Sequence, residues 1–316
     1  MNLDVSARPP LRPFAFAISA YVIWGLFPLY WKLLKGVAPV DIFCHRIVWS
    51  AVFFILLLSI LKIFRANSSP RINKNSLVRN IPLLALSAGL ISINWLTYIY
   101  GVNSGHVLET SLGYFINPLV SVFLGMVFLR ERLRRAQWFA VALAAIGVLQ
   151  LAMQSEHFPY FALLLGFSFG SYGLVRKITP VEPLIASTTE STLLAFPALA
   201  LLVYLGTHDF ASQNVLFSTV REYTFSVKAL LITGGAVTGI PLLLFTAATR
   251  KLPLSTMGFI LYLTPSIQFF LAVLLYHEPF TSLHARSFGC IWTALAIYTI
   301  DLTQHRRRIV NRTGSA

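Results

Sequence analysis

Charged residues are scarce in this sequence and make up only 11% of its 316 positions. Soluble domains contain roughly 25% of Asp, Glu, Lys and Arg together. Hydrophobic residues account for 56% of the chain, and the mean hydropathy is +0.71. A chain with so little polar material could not cover its surface in water. The composition therefore excludes an ordinary soluble domain and predicts a protein embedded in a bilayer.

Cysteine and the usual catalytic signatures are also lacking. The two cysteines, Cys44 and Cys290, lie inside apolar segments, a placement that does not fit a disulfide framework. No metal-ligand spacing occurs, so we expect neither a metal nor a cofactor. Signatures of serine hydrolases, zinc proteases, ATP-binding loops and dinucleotide-binding loops are absent. These absences argue against an enzyme and against a pump that hydrolyses ATP by itself.

Long apolar segments are what the sequence does contain. About 20 apolar residues cross a bilayer as a helix. The fifth and sixth segments are near the lower length limit, and the tenth is the weakest because Arg286 and Asp301 lie near its ends. The sequence predicts an all-α integral membrane protein with ten transmembrane helices, at residues 13–32, 42–61, 80–101, 105–129, 136–153, 158–175, 184–205, 229–249, 252–276 and 285–302.

Basic residues outnumber acidic residues by 25 to 11. They lie mainly in short runs between the apolar segments, and most of them fall on the side of the two termini. The positive-inside rule therefore predicts that both termini are cytoplasmic. A basic groove with interleaved aromatic residues is missing, so we expect no nucleic acid as a partner.

The second half of the chain repeats the first at a nearly constant shift. Gly89 falls on Gly234, and after a two-residue insertion Pro118 falls on Pro265. Each half has five spans, an odd number, so the halves must have opposite orientations in the membrane. Inverted repeats recur in secondary transporters, with the substrate site near the midplane between them. We predict two repeat domains, at residues 1–156 and 157–316.

Polar and aromatic residues share helix faces near the middle of several spans. Such faces suit an amphiphilic organic substrate, because ring stacking is combined with a few hydrogen bonds. Hydrogen bonding between helices is the alternative role. The candidate substrate-binding residues are Asn94, Tyr98, Tyr114, Asn117, Tyr262, Ser266, Trp24 and Gln268.

Prolines and glycines in the same spans indicate helix breaks. A proline removes one backbone hydrogen bond, and the freed carbonyl must find a partner in protein or water. Structural kinks packed against neighbouring helices are the alternative. The candidate hinge residues are Pro118, Gly239, Pro241 and Pro265.

Several ionisable residues lie within the predicted spans, where such residues are costly and often functional. A histidine or a partly buried carboxylate could exchange protons and couple transport to a proton gradient. Interfacial anchoring and ion pairing between helices are the alternatives. The candidates for proton coupling or ion pairing are His45, Arg46, Glu190 and Glu109.

Blocks distributed over nearly the whole chain resemble the RarD branch, named for chloramphenicol sensitivity, of the EamA family in the drug/metabolite transporter superfamily. They are residues 24–32, 45–50, 94–98, 109–119, 131–133, 172–177 and 258–280, and block 109–119 is the most specific. The resemblance implies ten helices in two inverted EamA repeats, a location in the bacterial inner membrane, and transport by alternating access. It also implies export of small metabolites or drugs, among which amino acids are common in the superfamily.

The sequence thus favours a secondary transporter that exports a small amphiphilic metabolite, amino-acid-like, or a drug. Its expected partners are that small molecule, the lipid bilayer and protons as a candidate coupling ion, and both a monomer and a homodimer remain open. A channel, a lipid flippase and a membrane-embedded enzyme acting on lipid-linked substrates are the alternatives.

Overall fold

In a computed structural model, the protein is described at residues 11–34, 36–64, 74–104, 106–153, 158–207, 223–275, 277 and 281–313. The described residues form helices and short connections and contain no strand. The helices are α1 (Leu11–Lys32), α2 (Pro39–Phe64), α3 (Lys74–Asn103), α4 (Val107–Leu129), α5 (Arg135–Ala152), α6 (Tyr160–Ile178), α7 (Pro183–Thr207), α8 (Phe225–Thr249), α9 (Leu254–Leu261), α10 (Leu263–Phe270) and α11 (Ser282–Thr313), with a π-helical turn at Leu271–Leu275 after α10.

These helices confirm the predicted all-α membrane class. Within the described residues, nine helical segments are long and apolar enough to cross a membrane. The ninth, Leu254–Leu275, consists of α9, α10 and the π-helical turn. The tenth predicted span lies in α11, which has 32 residues and continues past Asp301 into a basic run.

The helices differ in how much of their surface the protein itself covers. Only 22% of the most apolar window of α2 is buried inside the protein, against 56% of that of α4. Large apolar side chains such as Leu56 and Phe196 are exposed. Because lipid is the surrounding solvent, α2 presents a broad face to the bilayer, and α4 lies near the centre of the bundle.

The two ends of the bundle are distinguished by their contacts. We call the end where α1 begins the Leu11 end, and the end where α1 finishes the Lys32 end. At the Leu11 end, the Glu131 carboxylate after α4 accepts hydrogen bonds from the first amides of α9. At the Lys32 end, the Tyr223 hydroxyl before α8 donates to the Asp41 carboxylate in the first turn of α2, at 2.8 Å.

The helix contacts have an approximate twofold exchange symmetry, which means that replacing each helix by its equivalent in the other half gives nearly the same set of contacts. The predicted repeat equates α1 with α6, α2 with α7, α3 with α8, α4 with α9 and α10, and α5 with α11. The observed contacts agree with this equivalence. The contact of α4 with α6 corresponds to that of α10 with α1, and the contact of α3 with α6 corresponds to that of α8 with α1. Likewise, the contact of α2 with α8 corresponds to that of α7 with α3. Three further pairs, α2 with α7, α4 with α9 and α5 with α11, join equivalent helices. The most extensive contacts therefore connect the two halves rather than lying within one.

A glycine allows the backbones of α2 and α8 to come into direct contact. A Cβ on Gly235 of α8 would lie 2.3 Å from the backbone carbonyl carbon of Trp49 in α2. In the same place the Ser50 hydroxyl of α2 donates to the Gly235 carbonyl oxygen, at 3.0 Å. Contact between α2 and α8 thus depends on the missing side chain at this position.

We expect the Gly235→Ala variant to be less stable than the wild type, because its methyl group would force α2 and α8 apart. Overpacking of this kind costs about 1–3 kcal/mol. The matched control is Gly89→Ala in α3, where an added Cβ meets nothing within 4 Å and alanine favours the helix by about 1 kcal/mol. Unfolding titrations in mixed micelles measure both. Equal stability of the two variants would contradict the close contact.

Candidate functional site

A cavity of about 300 Å³ lies between the two halves of the chain. Helices α1 to α4 supply one part of its wall, and α6, α9 and α10 supply the rest. Aromatic and apolar side chains dominate this wall, with a few polar groups among them, which is the usual character of a small-molecule site. The lining residues are Trp24, Phe27, Pro28, Trp31, Pro39, Ile42, Phe43, Arg46, Asn94, Trp95, Tyr98, Ile99, Gly113, Tyr114, Asn117, Leu165, Phe169, Leu261, Thr264 and Gln268.

The cavity extends from the Lys32 end to about the middle of the bundle. Near the Lys32 end its wall includes Trp31 in the last turn of α1 and Pro39, the first residue of α2. Its deepest residues, including Asn117 and Phe169, lie near the middle of α4 and α6. Of the helix turns that the structure describes at the Leu11 end, none contributes a residue to the lining.

Polar contacts hold the Leu11 end together. Besides the backbone amides of α9, the Glu131 carboxylate accepts from the Ser255 hydroxyl, at 2.7 Å. The Lys177 ammonium at the end of α6 donates to the carbonyls of Thr249, at 3.2 Å, and Leu252. Arg250 donates to the Val181 carbonyl, at 2.9 Å. Of these contacts, those of Glu131 join the two halves, and those of Lys177 and Arg250 join helices of the second half.

Six of the eight predicted substrate-binding residues line the cavity. Four of them, Asn94, Tyr98, Tyr114 and Asn117, come from α3 and α4, and the rings of Tyr98 and Tyr114 meet edge to face with centroids 5.8 Å apart. The Asn94 side-chain amide donates to the Leu165 carbonyl, at 2.9 Å. Asn94 therefore also ties α3 to α6.

The other two lining residues predicted from the sequence, Trp24 and Gln268, face each other across α1 and α10. The Gln268 amide nitrogen lies 3.5 Å from the Trp24 carbonyl oxygen, and both residues line the cavity. Gln268 shares its helix face with Leu261 and Thr264, at positions i, i+3 and i+7, and all three line the cavity.

Tyr262 and Ser266 do not line the cavity, contrary to the expectation from their spacing. The Tyr262 hydroxyl donates to the Phe115 carbonyl, at 3.4 Å. The Ser266 hydroxyl donates to the Tyr262 carbonyl and accepts from the Trp292 indole nitrogen, at 2.9 Å. These two residues lie next to the cavity-facing stripe of α9 and α10, and they bind α4 and α11 instead. Their hydrogen bonds are of the helix-packing kind.

Three tryptophans surround the cavity, and two of them were not among the predicted site residues. The sequence does not identify Trp31 and Trp95 as cavity residues, because aromatic residues in apolar segments are equally typical of lipid-facing positions. A signal was present in α1, where Trp24, Phe27 and Trp31 fall at i, i+3 and i+7, and all three line the cavity.

Arg46 is the ionisable candidate that the structure places in the cavity wall. Its guanidinium carbon lies 4.2 Å from the centroid of the Trp95 ring and 5.2 Å from that of Trp31. Cation–π contacts of this kind contribute about 0.5–2 kcal/mol. They orient the planar group inside the cavity.

Among the described residues that line the cavity, His45 is absent. His45 is half-buried, and its Nε2 atom has no hydrogen-bond partner among the described residues. Glu109 lies in the first turn of α4, but its side chain is outside the described part of the chain. A role in proton coupling stays a prediction for both residues.

Glu190 of α7 belongs to a buried network on the Leu11 side of the cavity. Its carboxylate accepts from Arg176 of α6, at 3.1 Å, from the Tyr172 hydroxyl, at 3.5 Å, and from the Ser87 hydroxyl of α3. The Arg176 and Glu190 side chains are only 1% and 2% exposed. Glu190 also borders a void of about 10 Å³, roughly the size of one water molecule. Trp95 lines both this void and the cavity.

The predicted hinge residues differ in what the helix does around them. Pro118 and, in α8, Gly239 and Pro241 lie within uninterrupted helices. Pro265 follows the interruption at Tyr262, where α9 ends and α10 begins. Proline lacks an amide hydrogen and clashes with the carbonyl four residues before it, here that of Leu261. Hinge motion remains a prediction at all four positions.

We expect single substitutions in the buried ion pair to be strongly destabilising. Arg176→Met or Glu190→Leu leaves one buried charge without its partner, at a cost of about 3–5 kcal/mol. The double variant should lose at least about 1 kcal/mol less than the sum of the two single losses. Unfolding titrations of the wild type, the two single variants and the double variant in detergent measure these losses as a double-mutant cycle.

The Arg134–Asp301 pair is a suitable control, since its side chains are 35% and 18% exposed. Arg134→Met should cost about 1 kcal/mol or less. Strictly additive losses at Arg176 and Glu190 would mean that the two charges do not support each other.

Comparison with known proteins adds four findings. The sequence model of the EamA-like transporter family matches residues 12–153. A protein from Pseudomonas aeruginosa described as an uncharacterized transporter is 43% identical over 298 residues, which cover 94% of this chain and 96% of that protein. Protein RarD from Escherichia coli is 44% identical over 304 residues, covering 96% of this chain and 99% of that one. A solved crystal structure with 16% identity has the same fold, with a TM-score of 0.68 over 94% of this chain and 98% of the other.

Proposed function

Since the chain belongs to the EamA-like transporter family and matches RarD proteins over almost their full length, we propose that it is a secondary transporter that moves a small amphiphilic molecule by alternating access. Membership makes it a transporter-like, multi-pass protein of the bacterial inner membrane. The substrate and the mechanism are our proposal. The observation that carries it is the cavity between the two halves, which reaches only from the Lys32 end to the middle of the bundle.

The chemistry of the wall supports an amphiphilic substrate. Aromatic rings such as Trp24 and Phe169 offer stacking surfaces, and neutral polar groups such as Asn117 and Thr264 offer hydrogen bonds. A volume of about 300 Å³ is at the lower end of the range for ligand sites. A compound of about the size of an amino acid or a small drug fits this description better than a lipid or a peptide.

The twofold exchange of helix neighbours supports alternating access. A bundle whose halves are equivalent but inverted has two related arrangements, one open at each end. We propose that the present arrangement is the one open at the Lys32 end. We further propose that the boundary of the two halves lies near residue 156, and that substrate passes outward, as the family resemblance implies.

Basic residues at the Leu11 end support a cytoplasmic position for that end. Arg130, Arg132 and Arg135 flank the α4–α5 connection there, and Lys251 follows α8. The positive-inside rule assigns such residues to the cytoplasm. In the proposed orientation, the cavity therefore faces the periplasm and both termini face the cytoplasm.

Transport by the reconstituted protein tests the proposal. We expect proteoliposomes to accumulate aromatic metabolites or drugs that stabilise the purified protein, and Tyr114→Ala to slow this uptake about tenfold by removing a wall of the site. Tyr160→Ala is the control, because Tyr160 is 71% exposed and lies outside the cavity. Absence of transport for every stabilising solute would contradict the proposal. Fluxes far above carrier rates would indicate a channel, and movement of labelled lipid alone a flippase.

We expect Glu131→Ala to open the Leu11 end more often, because the α9 amides lose their acceptor. A cysteine replacing Thr264 in the cavity wall, in a Cys44→Ala/Cys290→Ala background, reports this opening. A membrane-impermeant thiol reagent added at the Leu11 end should label it at least about threefold faster when Glu131 is replaced, because the net loss of even one of its three hydrogen bonds to α9 shifts the equilibrium by about that factor. Lys74→Ala, at the exposed first residue of α3 near the same end, should leave labelling unchanged. Equal labelling in both variants would exclude Glu131 from the closure.

A further inference from the structure

Arg46 supplies the one charged side chain in the cavity wall, as far as the described residues extend. It projects from the second turn of α2, near the Lys32 end. Its guanidinium is held against the rings of Trp95 and Trp31, as described above. Contact with the rings holds the guanidinium in the wall without using its N–H donors, because an aromatic ring accepts no conventional hydrogen bond from them.

The guanidinium lacks the anion that accompanies a buried arginine elsewhere in this protein. Arg176 has Glu190 as its partner. For Arg46, no ion pair or hydrogen bond is formed within the described part of the chain, and its Nε atom is buried without a partner. Removing such donors from water without replacement is unfavourable. A cationic group that is held against two rings, lies in a cavity wall and is left without an acceptor is suited to receive one from a ligand.

The other described residues that line the cavity are neutral. Tyr98 and Tyr114 lie close enough to interact electrostatically with its charge, and as neutral phenols they do not balance it. The Asp41 carboxylate, one helix turn away on α2, accepts a hydrogen bond from Tyr223 and is not in the cavity wall. The described wall therefore has a single positive charge and no carboxylate.

This distribution of charge distinguishes between classes of amphiphile. A cationic drug would meet an unbalanced positive charge. A zwitterionic amino acid would find a partner for its carboxylate but no described carboxylate for its ammonium group. A phosphate monoester carries about two negative charges, one more than the guanidinium balances. A monocarboxylate matches the charge and can accept two parallel N–H bonds from the guanidinium.

We propose that Arg46 binds the carboxylate of the transported molecule, and that the substrate is an organic monoanion with a flat apolar body. This inference rests on the proposed transport function and makes it specific. The carboxylate lies at the guanidinium near the Lys32 end, and the apolar body lies along Trp24 and Phe169 toward the middle of the bundle.

Binding to the purified wild-type protein tests the charge preference without any mutation. The probes are 3-phenylpropionate, its primary amide, phenylalanine and phenyl phosphate, and the signals are tryptophan fluorescence and thermal stability in detergent. We expect the carboxylate to bind about tenfold or more tightly than the amide, which has the same shape without the charge. Phenylalanine and phenyl phosphate should also bind more weakly. Binding of the amide, the amino acid or the phosphate as tightly as the carboxylate would overturn the proposal, as would failure of all four probes to bind.

Variants of Arg46 test whether this residue is responsible. Arg46→Gln should weaken binding of 3-phenylpropionate about tenfold and leave the amide unaffected. Arg46→Lys keeps the charge without the planar fork, so its affinity should fall between the two. Lys228→Gln is the matched control, since it removes an exposed positive charge from the same end of the bundle. Unchanged carboxylate binding by Arg46→Gln, in protein that elutes as the wild type does on size exclusion, would overturn the assignment.

Transport separates this inference from the function on which it rests. If wild-type proteoliposomes move the carboxylate and exclude the amide, both stand. If they move the carboxylate and the amide equally, the protein is a transporter but the anion site is wrong. If they move neither these probes nor any other amphiphile, the proposed function itself fails.

Discussion

Backbone amides and carbonyls must be paired inside the protein wherever the chain crosses lipid, and every other feature of this structure follows from that requirement. Only helices meet it segment by segment. A helical span pairs most of its backbone groups internally, so hydrogen bonds between spans, such as those of Ser50 and Asn94, are made by a side chain of at least one of the two helices. The interruption at Tyr262 lies between α9 and α10 in the interior of the bundle, where neighbouring helices and the cavity provide partners. Irregular backbone is tolerated there and not at the lipid surface.

Polar side chains within the spans are divided unequally between the two ends of the bundle. Toward the Leu11 end they are bonded to one another or to helix ends, as with Glu190 and Glu131. From the middle of the bundle to the Lys32 end, several line the cavity, as with Asn117 and Arg46, although Asp41 at that end is bonded to Tyr223. Two halves with equivalent helix neighbours thus have different polar contacts. This difference in polar contacts distinguishes an arrangement of two inverted halves that is open at one end from the related arrangement that is open at the other.

Features set by local sequence were predictable, and features set by the neighbours of a helix were not. Hydropathy located the spans because insertion of a helix depends on its own residues. Asn94 and Tyr114 were predicted for the cavity from helical spacing, and both line it. Tyr262 was misplaced because spacing defines a face but does not say which neighbour that face meets. Trp95 was missed because the interior and the lipid surface of such a protein are equally apolar, and only the packing tells them apart.

Pairing between the halves also has a consequence for how the protein is made. The first five helices enter the membrane before the partners of α1, α2 and α3 have been synthesised, since those partners are α6, α7, α8 and α10. During this interval, large faces that are later covered by protein can contact only lipid or a membrane chaperone. Gly235 of α8, which contacts the backbone of α2, is translated after the first five helices. During biosynthesis the first helices are therefore inserted before they are packed. Their packing begins with α6 and is completed only when α8 and α10, in the last third of the sequence, have been made.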